Sequence, residues 1–197
     1  MNQPIAAALA CAVLLLAACD KGAGGTSSSK SDSKSDSKSD STSRTSASAA
    51  APKQAGPEKS AFLLGRKLAF AGAFELAGDK GKSTKAMSET EPFAKALGVA
   101  TPAGNQAADM TKAADEIKQK HNDKAAASCR FGYYLTDAWF GSQLGAKVDV
   151  PLGLAEKAAA ESGIAESVWK EKLAAIKAAP NGDAMAALAK DIEASFK

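Results

Sequence analysis

Few residues of this sequence have the type and spacing that chemistry requires. Asp137 lies in the middle of the most apolar stretch of the chain, and Arg130 lies two helical turns before it. A carboxylate among apolar residues is costly unless a cation pairs with it. We therefore expect Asp137 to form a structural ion pair with Arg130, or with Arg66 in the other strongly apolar stretch. A general acid in a cleft is the alternative interpretation of Asp137.

Cys129 and His121 are the remaining candidates for catalysis. A nucleophile needs a base within reach and a group that orients the base, and no Ser-His-Asp or Cys-His spacing stands out. We interpret Cys129 as a small buried hydrophobic residue and His121, the sole histidine, as a residue at a helix end. The cysteine and histidine content also predicts no zinc site, no iron–sulfur cluster and no haem attachment. No catalytic, metal or cofactor site is predicted.

Two further patterns have both a structural and a functional interpretation. The segment Gly78–Thr84 contains Gly-Lys-Ser, but Leu76 stands where a phosphate-binding loop needs its first glycine. We interpret this segment as a polar turn between helices. The aromatic residues of the second apolar stretch form either core or a ligand pocket, and helical spacing favours core. They are Tyr133, Tyr134, Trp139 and Phe140.

The elements that position these residues are predicted to be helices. Residues 59–197 contain 33 alanines and few β-branched residues, and no stretch alternates as a half-buried strand would. We predict an all-α fold, a single bundle of about six to seven helices. The predicted helices span residues 58–77, 83–97 with an interruption near Pro92, 102–120, 123–144, 151–162, 165–179 and 182–196.

An internal duplication is indicated within the predicted bundle. Leu64-Gly65-Arg66-Lys67-Leu68 recurs as Phe131-Gly132-Tyr133-Tyr134-Leu135 at an offset of 67 residues, within helices that are apolar nearly all round. We expect two helical halves, residues 59–120 and 123–179, related by a pseudo-twofold axis. The first helix of each half should meet its counterpart at the centre.

Composition also limits the class of protein. The formal net charge of +3 gives no electrostatic case for a nucleic-acid-binding protein. The apolar run Ile5–Ala18 is shorter than the roughly 20 residues that a membrane-spanning helix needs, and it matches the apolar core of a secretory signal peptide.

The end of this run carries a resemblance to a known class. Leu16-Ala17-Ala18-Cys19 resembles the lipobox of bacterial lipoproteins. The resemblance implies a signal peptide of residues 1–18, cleavage before Cys19, a thioether-linked diacylglycerol on its sulfur and an acyl chain such as palmitate on its amino group. Asp20 is similar to a retention signal for the inner membrane in one bacterial group, and the choice between inner and outer membrane stays open.

Residues 19–58 are predicted to be a tether. Within them Ser31–Asp40 alternates serine with opposite charges and offers almost nothing to bury, so this stretch should stay disordered. A flexible coil of 39 residues has an r.m.s. reach of about 30–35 Å.

Together these features predict a lipid-anchored protein on the exported side of the bacterial envelope. We expect its domain, residues 59–197, to be non-enzymatic and to interact with or support another envelope component. The alternative is a binding module that holds a small hydrophobic ligand or lipid between the two central helices.

Overall fold

The alanine-rich part of the chain folds into helices, as its composition predicts. A computed structural model describes residues 56–104 and 106–196, and every regular element in these residues is an α-helix. The predicted signal peptide, Cys19 and most of the predicted tether lie outside the described residues. The helices are α1 (Pro57–Leu76), α2 (Lys80–Ser88), α3 (Glu91–Leu97), α4 (Gln106–Lys120), α5 (Asp123–Gln143), α6 (Asp149–Glu161), α7 (Glu166–Ala178) and α8 (Gly182–Ser195). The all-α prediction is confirmed, with eight helices in the described part.

Three prolines lie in the first turn of a helix, where a missing N–H leaves no hydrogen bond unmade. Pro57 begins α1, two residues before the predicted start of the domain. Pro92 lies in the first turn of α3, so the predicted interruption occurs just before it, at Glu89 and Thr90. Pro151 lies in the first turn of α6, which therefore starts before the predicted residue 151.

The predicted helix of residues 102–120 begins late. Its first residue is Gln106, because the carboxylate of Asp109 accepts hydrogen bonds from the N–H groups of Ala103 and Gly104. These contacts keep the segment before α4 in a loop. A side chain several residues away thus overrides the local signal of Thr101-Pro102 for a helix start.

The central pair of helices, α1 and α5, run parallel and touch backbone to backbone. A ring contact joins Phe62 of α1 to Phe131 of α5 at 5.8 Å between centroids. A Cβ atom placed on Gly65 would lie 1.9 Å from the carbonyl oxygen of Cys129, and one on Gly132 would lie 2.2 Å from the carbonyl oxygen of Phe62. Phe62 and Cys129 each lie three residues before the glycine of their own helix. The contact is therefore reciprocal, as a pseudo-twofold axis between the helices requires.

Two hydrophobic cores lie beside the central pair. The first core is built from α1, α3, α4 and the start of α5, and it includes Leu64, Leu68, Leu97, Met110, Ile117 and Cys129. The second is built from α5 to α8 with one residue of α1, and it includes Phe62, Phe131, Leu135, Leu152, Trp169, Leu173, Leu188 and Ile192.

Residues that lie 67 positions apart in the sequence occupy corresponding places in the two cores. Leu64 and Leu68 belong to the first core, and their counterparts Phe131 and Leu135 belong to the second. Each central helix also contributes to the other half's core: Phe62 of α1 belongs to the second core, and Cys129, at the equivalent position of α5, belongs to the first together with Ala125 and Ala126. The predicted contact between the central helices is confirmed, and the superposition of residues 59–120 on 123–179 stays a prediction. Helix α8 follows both predicted repeats.

Candidate functional site

Asp137 is exposed on the surface of α5, although its neighbours Thr136 and Ala138 are buried. Among the described residues, no basic nitrogen lies within 4.0 Å of its carboxylate, so the predicted ion pair with Arg66 or Arg130 is wrong. The apolar environment that the sequence implied covers the other faces of the helix. Partial burial still raises the pKa of the Asp137 carboxyl above its usual value.

The two arginines pair with glutamates of distant helices instead. Arg66 lies 3.5 Å from Glu193 of α8, and Arg130 lies 4.0 Å from Glu161 of α6. Helix packing decides these partners, since more than 100 residues of chain separate Arg66 from Glu193. No local sequence signal links them, and the sequence analysis missed both glutamates.

The guanidinium of Arg66 occupies an aromatic niche on α1. Its Cζ atom lies 6.0 Å from the ring centroids of both Phe62 and Phe70. Its Nε atom is buried and has no hydrogen-bond partner among the described residues. Burial lowers the pKa of this guanidinium, and the charge of Glu193 acts in the opposite direction. Within the described part of the chain, Arg66 therefore depends on Glu193 as its charged partner, and the pair fastens α8 to α1.

Removal of Glu193 should reveal this dependence. Because the Arg66 side chain is only 22% exposed, we expect Glu193→Ala to lower the free energy of unfolding by about 1–2 kcal/mol. The control is Asp191→Ala, which breaks the pair of Lys172 and Asp191, with side chains 52% and 49% exposed, and should cost less than about 0.5 kcal/mol. Urea unfolding followed by circular dichroism measures both. Equal effects would contradict the structural role of Glu193.

The four aromatic residues singled out in the sequence form two separate sets of ring contacts in the bundle. Trp139 and Phe140 contact each other at 4.8 Å between centroids, and Phe70 lies 6.0 Å from Trp139 and 5.4 Å from Phe140. Tyr133 and Tyr134 form a separate edge-to-face pair at 5.6 Å. These rings pack against one another and against the cores, so the core interpretation describes them.

A groove of about 430 Å³ lies elsewhere, between α7 and α8. Ile176 and Leu188 contribute its large apolar side chains, and alanines from both helices make up most of the rest. The ion pair of Lys172 and Asp191, 2.6 Å apart, borders it. The alternative interpretation of the sequence, a ligand held between the two central helices, concerns another part of the bundle, and the sequence analysis did not identify this groove. The alanines spaced three and four residues apart in α7 and α8 were the available signal.

His121 follows the last residue of α4, as predicted, but it acts on another helix. Its Nε2 atom lies 2.9 Å from the carbonyl oxygen of Leu97, to which it donates, and Lys120 donates to the carbonyl oxygen of Gly98. Both side chains therefore satisfy carbonyl groups at the end of α3. His121 has a structural role here.

The lysine-rich segment after α1 is only in part the predicted turn. Gly78 and Asp79 form the turn, and α2 begins at Lys80. The Asp79 side chain caps this helix by accepting the N–H of Lys82, and its hydrogen bonds with Lys82 lower the pKa of the Asp79 carboxyl. The residues that resemble part of a phosphate-binding loop are thus used as a helix start.

Cys129 is fully buried in the first core, and burial raises the pKa of its thiol to about 12. In a chain whose only thiol is Cys129, we expect the folded protein to react with a maleimide at least about 100-fold more slowly than the urea-unfolded protein near pH 8. The reason is that little of the buried thiol is ionised and the maleimide cannot reach its sulfur. The rate should rise in step with the unfolded fraction. A folded-state rate within about tenfold of the unfolded rate would contradict the buried position.

In the described part of the chain, no group of three His, Cys, Asp or Glu side chains has the arrangement of a metal site. None of the helices there is both long and apolar enough to cross a membrane. Comparisons of the chain with protein-family models, with curated proteins and with solved structures found no match.

Proposed function

We propose that this chain is a lipid-anchored protein of the bacterial envelope whose helical domain acts through contact with another envelope component. The observation that carries the proposal is the sequence Leu16–Cys19 at the end of the apolar run Ile5–Ala18. The serine-rich segment that follows gives the domain a tether to the anchored cysteine. The anchor places the protein on the exported side of the membrane.

The non-enzymatic part of the proposal is supported by what the reactive side chains do. Cys129 is a core residue, Arg66 and Arg130 pair with glutamates, and His121 satisfies a backbone carbonyl. Each of these interactions serves the packing of the bundle. The proposed role is therefore one of contact rather than catalysis.

The anchor is tested by the chemistry of the mature amino terminus. We expect mass spectrometry of the protein from its native cells to show a chain that begins at Cys19 and carries the mass of a diacylglycerol and an acyl chain. Two or more chains hold a protein stably at a bilayer, at about 0.8 kcal/mol per buried CH₂ group. Essentially all of the mature protein should therefore sediment with membranes.

The matched control replaces residues 1–20 with an ordinary cleavable signal peptide. This variant should be released as a soluble, helical protein in the exported compartment. Mature protein that begins at another residue, or that carries no lipid on Cys19, would overturn the anchor.

The groove between α7 and α8 favours a second candidate function, a module for a small hydrophobic ligand. Its volume of about 430 Å³ falls within the range of about 300–1,000 Å³ that ligand pockets occupy. Native mass spectrometry of the protein from its own cells separates the two functions. A retained small molecule that is lost in Ala187→Trp, which fills the groove, would favour the ligand-binding module.

A further inference from the structure

One end of the central helix pair repeats the same three features in both halves of the domain. Because α1 and α5 run parallel, as the 5.7 Å contact between Phe74 and Phe140 near their ends confirms, both helices end on the same side of the bundle. At each end lie an exposed leucine, a glycine with positive φ and an exposed lysine. These residues are Leu76, Gly78 and Lys80 at the end of α1, and Leu144, Gly145 and Lys147 at the end of α5.

The apolar side chains at this end are unusually exposed. Leu76 is 93% exposed and Leu144 is 53% exposed. Val150, in the first turn of α6, is 73% exposed, and Leu154 follows one turn later at 40%. These four are the exposed large apolar side chains of the described residues. Single exposed leucines are common on protein surfaces, but their concentration near the ends of two repeated helices marks an interaction surface.

The lysines at this end add positive charge to the surface. No carboxylate among the described residues lies within 4.0 Å of Lys80 or Lys147. The neighbouring carboxylate of Asp79 is taken by Lys82 at 2.7 Å, and Asp149 lies in the first turn of α6, where the helix dipole favours it. A lysine thus lies near each exposed leucine, together with the exposed carboxylates of Glu75 and Asp149.

We propose that this surface, the leucine end (Leu76, Lys80, Leu144, Lys147 and Val150), docks on a lipid bilayer. The apolar side chains insert at the boundary between headgroups and acyl chains, and the lysines contact lipid phosphates. A bilayer fits separate side chains that protrude from helix ends, since it deforms around each of them. The inference rests on the proposed function, because the lipid on Cys19 holds the domain at the membrane.

The length of chain before α1 supports this occupant. Helix α1 has 20 residues and is therefore about 30 Å long, so the leucine end lies about that distance from the point where the tether joins the domain. The expected r.m.s. reach of the tether, about 30–35 Å, matches this distance. The anchored domain can therefore place its leucine end on the same bilayer.

Depth-dependent quenching tests the proposal on the lipidated chain. A fluorescent probe is attached at Leu76→Cys, at Leu144→Cys or, as a control, at the exposed Gln119→Cys near the opposite end of the bundle; the buried Cys129 stays unlabelled. In vesicles of phosphatidylethanolamine and phosphatidylglycerol, quenchers on the acyl chains should reduce emission about twofold or more at the first two positions and little at the third. Equal quenching at all three positions, or none at the leucine end, would overturn the proposal.

Vesicle binding by a variant without the lipid anchor tests the docking surface independently of the proposed anchor. The soluble variant that lacks residues 1–20 should bind the same vesicles only weakly, at high lipid concentration, and Leu76→Ser and Leu144→Ser should each lower its partition coefficient about tenfold. Lys80→Gln with Lys147→Gln should weaken partition at low salt and in anionic vesicles only. Vesicle binding together with an unlipidated Cys19 would overturn the anchor and retain the docking surface.

Two outcomes of these experiments would reject the docking surface while the anchor stands. One is a soluble variant whose partition does not change when the leucines are replaced. The other is a probe at Leu76 that becomes shielded from water in proportion to protein concentration without lipid, which would assign this surface to a second copy of the chain.

Discussion

Replacement of Leu68 by aspartate should lower the free energy of unfolding by about 4–5 kcal/mol, a large part of the roughly 5–15 kcal/mol that stabilises a folded domain. Leu68 is fully buried in the first core, and Leu135, its counterpart in the second core, is 1% exposed. A carboxylate at either position loses its hydration and meets no cation among the described core residues. Leu135→Asp should therefore have an effect of similar size.

The matched control is the same substitution at an exposed leucine of the same helix. Leu76, which ends α1 and is 93% exposed, should tolerate aspartate at a cost below about 1 kcal/mol, most of it from the helix dipole. Thermal unfolding followed by circular dichroism measures all three variants. A cooperative transition of Leu68→Asp close to that of the unmodified protein would contradict the assignment of Leu68 to the core.

Replacement of Gly65 by alanine should cost about 3 kcal/mol, because the new methyl group would lie 1.9 Å from the carbonyl oxygen of Cys129. The contact is with backbone, so relief requires the two central helices to move apart. Gly132→Ala faces the carbonyl oxygen of Phe62 at 2.2 Å and should behave alike. The double variant should cost less than the sum of the single variants, since the same separation relieves both contacts.

Gly153 gives the control for helix propensity. It lies within α6, and a methyl group placed on it would meet no described atom within 4 Å beyond the backbone of its own helix. Gly153→Ala should therefore stabilise the protein by roughly 0.5–1 kcal/mol. Urea unfolding measures the whole series. Stabilisation by Gly65→Ala similar to that by Gly153→Ala would show that the central helices do not touch at these glycines.

The recurrence at an offset of 67 residues predicted more of the structure than any single motif. It predicted that α1 and α5 meet at the centre of the bundle, and the reciprocal approach of their backbones at Gly65 and Gly132 confirms that contact. The same offset relates Lys80 to Lys147, which the sequence analysis did not use. Their shared position became meaningful only when the parallel course of the two helices placed both loops at one end.

The sequence by itself determined the helical class and the approximate positions of the central helices, because helix propensity and apolar periodicity are local properties. Tertiary structure decided the partner of Arg66, the exposure of Asp137 and the groove between α7 and α8. A single apolar sequence cannot reveal which face of its helix will remain uncovered. That depends on the rotation of each helix in the bundle and on the distant residues that packing brings against it.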